Sequence, residues 1–333
     1  LQGPGYARAA VIARLAQEVR FLLDEPLRRV EAERVLHGQS PLLAPGARFD
    51  CGGLAVNADA GSVRPTMRFL VEALAGFLGL WVACAAAAVA ALFARRRVEG
   101  GLLVFGVPEE GLFRDGDDAA FAEFARRGPI TPLRSARALI VQTVTAGARS
   151  TDARIHYARH PLLALLRLSG PSPLDVLALL ARHAIIGAQY LAACARFPVL
   201  AVLWRDYGFH AVAAQLAGRG RVDGALLTNT NLGRQLLCLA DLPGKPFPLH
   251  MVFYSEHDRP TTYVDIDEKC PVAPALPFLR AHEVWAWTSG RADMIARAGL
   301  TAKVHVVGPI LWEVPAPEAL ARSEEHTSEL QSR

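Results

Sequence analysis

A chain of 333 residues that is 52% hydrophobic, with a formal charge of +4, can bury two domains or one large α/β domain. Lys245, Lys269 and Lys303 are its lysines and every other basic residue is arginine, the bias of a GC-rich genome. The arginines are scattered and do not alternate with aromatic residues, which argues against nucleic acid as a partner. Cys51, Cys84, Cys194, Cys238 and Cys270 are odd in number and contain no C-x-x-C pair, so the chain reads as reduced and cytosolic.

From the amino end, residues 7–36 show helical apolar spacing (Val11, Ile12, Leu15, Val19, Leu22, Leu23) interrupted at Pro26. Residues 38–65 are rich in Gly, Pro, Ala and Asp without a sustained period, which predicts a loop or linker. Residues 1–66 thus form a first segment. Phe69 to Ala94 is a run of 26 residues whose one charge is Glu72, followed at once by Arg95, Arg96 and Arg97. About 20 apolar residues span a bilayer, and few globular helices stay apolar all round for this length. A membrane-embedded or membrane-surface helix over 67–98 is therefore expected, with the chain beyond it cytoplasmic. Burial inside a large domain is the alternative.

From Gly101 the texture becomes alternating strand and helix. Strands are predicted at 102–107, 137–144, 199–203, 223–228, 249–254, 283–287 and 303–307. Helices are predicted at 117–127, 174–197, 204–218, 232–240 and 289–298, with Pro171 and Pro173 suited to the start of the second. Such alternation implies right-handed βαβ units and a parallel, Rossmann-like sheet. The fold class is α/β, with the sheet domain over 99–320 preceded by the apolar helix.

Four strands end in polar loops, and in open α/β sheets ligands bind outside the carboxyl ends of the strands. LHMVFYSEHDRP at 249–260 runs into Tyr254, Ser255, Glu256, His257 and Asp258. Glu256 is the first candidate for a general base and His257 the second; capping a turn before Pro260 is the plainer role. Ser255 lacks the G-x-S-x-G elbow of a nucleophile. Thr228, Asn229, Thr230 and Asn231 stand at the entrance to a helix, where backbone N–H groups favour an anion, although one of them serves as a cap. Thr288 and Gly308 occupy the same position after their own strands. Asn229, Tyr254, Glu256, His257, Thr288 and Gly308 are expected around one cleft. No Walker or G-x-G-x-x-G motif appears. No cofactor is expected. His156 and His160 lack a third ligand, and Asp265-Ile266-Asp267 sits in what reads as a solvated loop, so no metal site is expected either.

Several ordered segments carry a resemblance: LLVFGVPEEGLFRDG, GPITPL at 128–133, LLTNTNLGRQLL, HMVFYSE, and VWAWTSGRADMIARAGL followed by VHVVGPI. Over residues 102–309 the chain resembles bacterial surface-carbohydrate biosynthesis proteins of the GT-B glycosyltransferase type. The resemblance implies the acceptor-side Rossmann-like domain of a transferase. Such an enzyme uses a nucleotide-sugar donor and a lipid-linked or glycan acceptor, at the cytoplasmic face of the inner membrane. Thr228, Asn229, Tyr254, Ser255, Thr288 and Gly308 become candidate substrate contacts, and Glu256 and His257 candidate catalytic groups. A sugar-nucleotide epimerase of the same fold and a non-catalytic scaffold in polysaccharide assembly are the competing readings. Residues 322–333, RSEEHTSELQSR, resemble a translated sequencing adapter, so 321–333 is set apart as an artefactual tail and most of a donor domain is expected to be missing.

Overall fold

The computed structural model describes residues 8, 10–19, 22–23, 37, 48–51, 53–57, 62–93, 98–228, 235–240, 248–253, 281–297 and 300–312. Seven short apolar runs form its central sheet: β4 (Leu102–Phe105), β5 (Leu139–Gln142), β6 (Ile155–Ala158), β7 (Gly224–Thr228), β8 (Leu249–Val252), β9 (Glu283–Ala286) and β10 (Lys303–Val306). Every pairing is parallel, in the order β10-β9-β8-β7-β4-β5-β6. The chain lays β5 and β6 on one side of β4, then crosses to start β7 on the other. That reversal between β4 and β7 is the doubly wound, Rossmann-like arrangement. Strands such as β7 and β8 are buried along their whole length, as a sheet covered on both faces requires.

Successive side chains point to opposite faces. Leu103, Ile140, Ala225, Leu227 and Met251 join one core, and Leu102, Val104, Leu139, Val141 and Trp285 the other. The helices, in chain order, are α1 (Met67–Ala91), α2 (Glu109–Leu112), α3 (Ala119–Arg127), α4 (Thr131–Ser135), α5 (Pro161–Ser169), α6 (Pro173–Arg196), α7 (Trp204–Gly218), α8 (Leu237–Ala240) and α9 (Ser289–Arg297). Residues of α1, α5, α6 and α7 share the first core, and those of α3 and α4 the second.

The apolar run seen in the sequence is α1, one continuous helix of 25 residues. It starts at Thr66, whose Oγ1 accepts from Phe69 N at 3.2 Å. It buries Ala73, Phe77, Leu80, Cys84, Ala87, Ala88 and Ala91 along a single face. Small residues let the helices approach: a Cβ on Gly208 of α7 would lie 2.5 Å from Leu80 Cδ2. Phe77 stacks on Tyr190 of α6 at 4.7 Å between centroids. Burying a Phe or Leu side chain is worth about 1.5–3 kcal/mol, so this face holds α1 to the domain. The helix α6 begins with a capping box, Ser172 with Asp175, and Pro173 in its first turn. Buried Asp206 of α7 accepts from Arg14 Nε and from Leu237 N, fastening the helical residues 10–19 and α8 to the same layer.

Two expectations are overturned. Residues 48–57 and 62–65 are not linker: β1 (Arg48–Cys51), β2 (Leu54–Asn57) and β3 (Ser62–Pro65) make an antiparallel sheet. Four-residue strands punctuated by glycine are too short to show a period. Residues 199–203 are not a strand but part of a 3-10 helix, Pro198–Leu203. Leu200, Ala201, Val202 and Leu203 are all buried, so the run lacks alternation, and it serves to turn the chain from α6 into α7. The strand β6 and the helix α5 were not foreseen, and His156 and His160 fall on β6 and at the N-cap of α5. Residues 322–333 lie outside the described residues.

Candidate functional site

The strand order places a crevice at the carboxyl ends of β4 and β7, where the chain connections diverge to opposite sides. There β4 runs into Gly106, whose φ of +76° suits glycine. Thr228, the last residue of β7, is fully buried and its hydroxyl donates to Gly106 O at 2.6 Å. Thr228 therefore latches the two strands at the reversal.

After Pro108 the chain enters α2, and Glu109 becomes the hub of the crevice wall. Its carboxylate accepts from Thr143 Oγ1 at 3.0 Å, Val144 N at 2.9 Å and Thr145 Oγ1 at 2.7 Å. Burial raises its pKa, but these donors outweigh burial and hold it below the ordinary carboxylate value. The loop after β4 is thus tied to the loop after β5. Between them lies an open cavity of about 560 Å³, lined by Glu109, Glu110, Phe113, Thr145 and Arg149 among others. Glu110 is exposed at its rim. A second hollow of about 460 Å³ shares Glu110 and is bounded by Leu311 and Trp312.

Beyond β10, Gly308 (φ +77°) donates its N–H to Trp287 O at 3.2 Å, bringing the ends of β9 and β10 together. The chain then reaches α3, where Trp312 meets Phe124 edge-on at 5.5 Å. Gly111 permits that crossing: a Cβ on it would stand 2.6 Å from Trp312 Cδ1. Thr288 opens α9, its Oγ1 accepting from Arg291 N at 3.2 Å. Arg291 is largely buried and its guanidinium lies 5.2 Å from the centre of the Phe253 ring.

All four strands from β7 to β10 therefore present their carboxyl ends on one edge of the sheet. Of the candidates read from sequence, Thr228, Thr288 and Gly308 lie at that edge, and Thr228 and Thr288 both hold the fold's own backbone. Asn229, Tyr254, Ser255, Glu256 and His257 lie outside the described residues. Phe253, just past β8, donates its N–H to Trp285 O at 3.0 Å. Sequence reasoning missed Glu109, Glu110 and Arg291. The signal for the first two was P-E-E immediately after an apolar strand, the same pattern that singled out the later loops.

Another cavity, about 850 Å³, opens at the opposite, amino edge, where Glu283 and Lys303 begin their strands. Its wall holds His250 and His305, 3.4 and 3.6 Å from the Glu283 carboxylate. Burial holds His250 down to about 4 despite that neighbour. The strand reversal and the Glu109 hub lie instead at the carboxyl edge, which we take as the site. Among the described residues no group of three or more His, Cys, Asp or Glu side chains could hold a metal ion.

Fold and edge together define a doubly wound α/β protein with a crevice at its strand reversal. The model of a family described as "Polysaccharide biosynthesis PFTS motif protein" matches residues 186–329. The match starts in the second half of α6 and takes in β7 to β10 with the loops that follow them. It supports a role in polysaccharide biosynthesis. No curated protein and no solved structure matches the chain.

Proposed function

We propose that the protein is a glycosyltransferase of GT-B type, which passes a sugar from a nucleotide-sugar donor to a lipid-linked or glycan acceptor at the cytoplasmic face of a membrane. The observation that carries this reading is the strand reversal between β4 and β7 at the latch from Thr228 to Gly106. The family match covers the same carboxyl-edge loops. On this reading the acceptor lies in the crevice between the Glu109–Thr145 wall and the carboxyl ends of β7 to β10. A carboxylate there removes the proton of the attacking hydroxyl as the new glycosidic bond forms, and the nucleoside diphosphate leaves. Glu256 is the assigned base, with His257 beside it in sequence. Tyr254, Ser255, Asn229, Thr288 and Gly308 contribute contacts, and buried Arg291 adds positive charge near the leaving diphosphate.

Membranes from cells expressing the full-length gene product, supplied with labelled nucleotide sugars, should form labelled lipid-extractable or polymeric product. Glu256→Gln should lower that rate by about 10²-fold or more. Interconversion of free nucleotide sugars without transfer would identify an epimerase instead. Unchanged transfer by the variant would remove Glu256 from the role.

A further inference from the structure

We propose that α1 and α6 seat the domain in the plane of an anionic bilayer surface, entering one leaflet without crossing it. The inference deepens the membrane placement above but uses no step of the transfer. Both helices are long and apolar enough to span, with mean hydropathy 2.1 and 1.5, yet each is only partly covered by the protein. On α1 the uncovered stripe runs Val71, Ala75, Leu78, Val82, Ala86, Val89 and Phe93. Val82 is 69% and Phe93 80% exposed. From Ala73 to Phe93 the helix holds no charged residue, so the stripe extends roughly 30 Å without charge at 1.5 Å per residue. Soluble surfaces seldom leave such a patch bare. On α6, Leu174, Leu177, Ile185 and Leu191 are likewise exposed. The two helices touch at Phe77 and Tyr190.

Charge selects the occupant. Arg68 pairs with Glu72 in the first turns of α1, both exposed, while Arg64 precedes the helix and Arg95, Arg96 and Arg97 follow it. An apolar stripe that starts beside exposed Arg64 and Arg68, and that three arginines follow in the sequence, matches acyl chains edged by lipid phosphates.

Anchoring selects the orientation. A spanning helix delivers its ends to opposite sides of the bilayer, but both ends of α1 are tied to one domain. Thr66 N donates to Gly53 O at 2.8 Å at the start, and Val98 N donates to Leu168 O of α5 at 2.8 Å just beyond the end. Spanning would also strip Phe77, Leu80 and Cys84 from the core.

Flotation of the full chain with vesicles of phosphatidylcholine and phosphatidylglycerol tests this. The protein should float, less so with phosphatidylcholine alone, and alkaline carbonate should strip it from the vesicles. Val82→Glu and, separately, Ile185→Glu should lower the bound fraction by about tenfold or more while circular dichroism and thermal unfolding stay unchanged. Should either variant misfold, Leu174→Glu at the exposed start of α6 takes its place. Failure to float, binding unaltered by the variants, or resistance to carbonate would each overturn the proposal. So would a dimer in vesicle-free buffer that Val82→Glu disperses, since the stripe would then belong to a second copy. None of these readings depends on sugar transfer.

Discussion

Glu109 holds its charge against burial because three donors from the loop after β5 converge on it. The sign of its linkage follows. A carboxyl whose folded pKa is depressed stabilises the fold above its unfolded pKa and loses that contribution as pH falls through the folded value. Glu109→Gln should therefore weaken the protein to urea at neutral pH and match the wild type well below the ordinary value of 4.5. Equal losses at both pH values would contradict the assignment. His183 of α6 works the other way. It is 1% exposed, its ring nitrogens have no hydrogen-bond partner among the described residues, and burial lowers its pKa to about 4. His210 on α7 is lowered to about 4 by burial, then by Arg182 and His183. Since the unfolded chain takes up these protons first, stability should fall as pH drops from about 6.5 towards about 4, by up to about 1.4 kcal/mol per pH unit per histidine. His183→Leu should flatten that fall in pH-dependent unfolding and raise stability by about 1 kcal/mol. A slope unchanged by the substitution would show that His183 is not buried neutral. Neither residue stood out in the sequence, because the role of each is set by groups far along the chain or on a facing helix.

Elements whose burial is written in a continuous apolar run were legible: β4, β5 and β7 to β10 fall within the ranges read from sequence, α6 within one residue of its range and α1 within three. The failures share a cause. Ile155–Ala158 is an edge strand with a single fully buried residue, and β1 to β3 are four residues each, so neither shows a period. Pro198–Leu203 looked like a buried strand because periodicity alone cannot separate a short buried helix from one. Gly308 was read only as a candidate substrate contact, yet Leu311 and Trp312 just beyond it bound the second hollow of the crevice. Gly111 is its counterpart. Gly111→Ala should displace Trp312, red-shifting tryptophan fluorescence and costing about 1–3 kcal/mol in thermal or urea unfolding. Unaltered emission and stability would show that the indole does not depend on that close approach.

For the whole molecule, the sequence implied a parallel sheet, but not that β7 crosses to the far side of β4. That crossing is a matter of which strand edges pair, and parallel pairing leaves no local mark. It nevertheless locates the crevice, makes Thr228 a latch, and explains why the carboxyl ends of β7 to β10 gather on one edge. The same packing turns a candidate span into a helix with one face on the core and one uncovered. Sugar transfer by this edge is tested most directly by the rate of labelled sugar incorporation into membranes carrying the protein, wild type against Glu256→Gln. Transfer into lipid-extractable or polymeric material is expected, with a drop of about 10²-fold or more in the variant. No incorporation from any nucleotide sugar would contradict it.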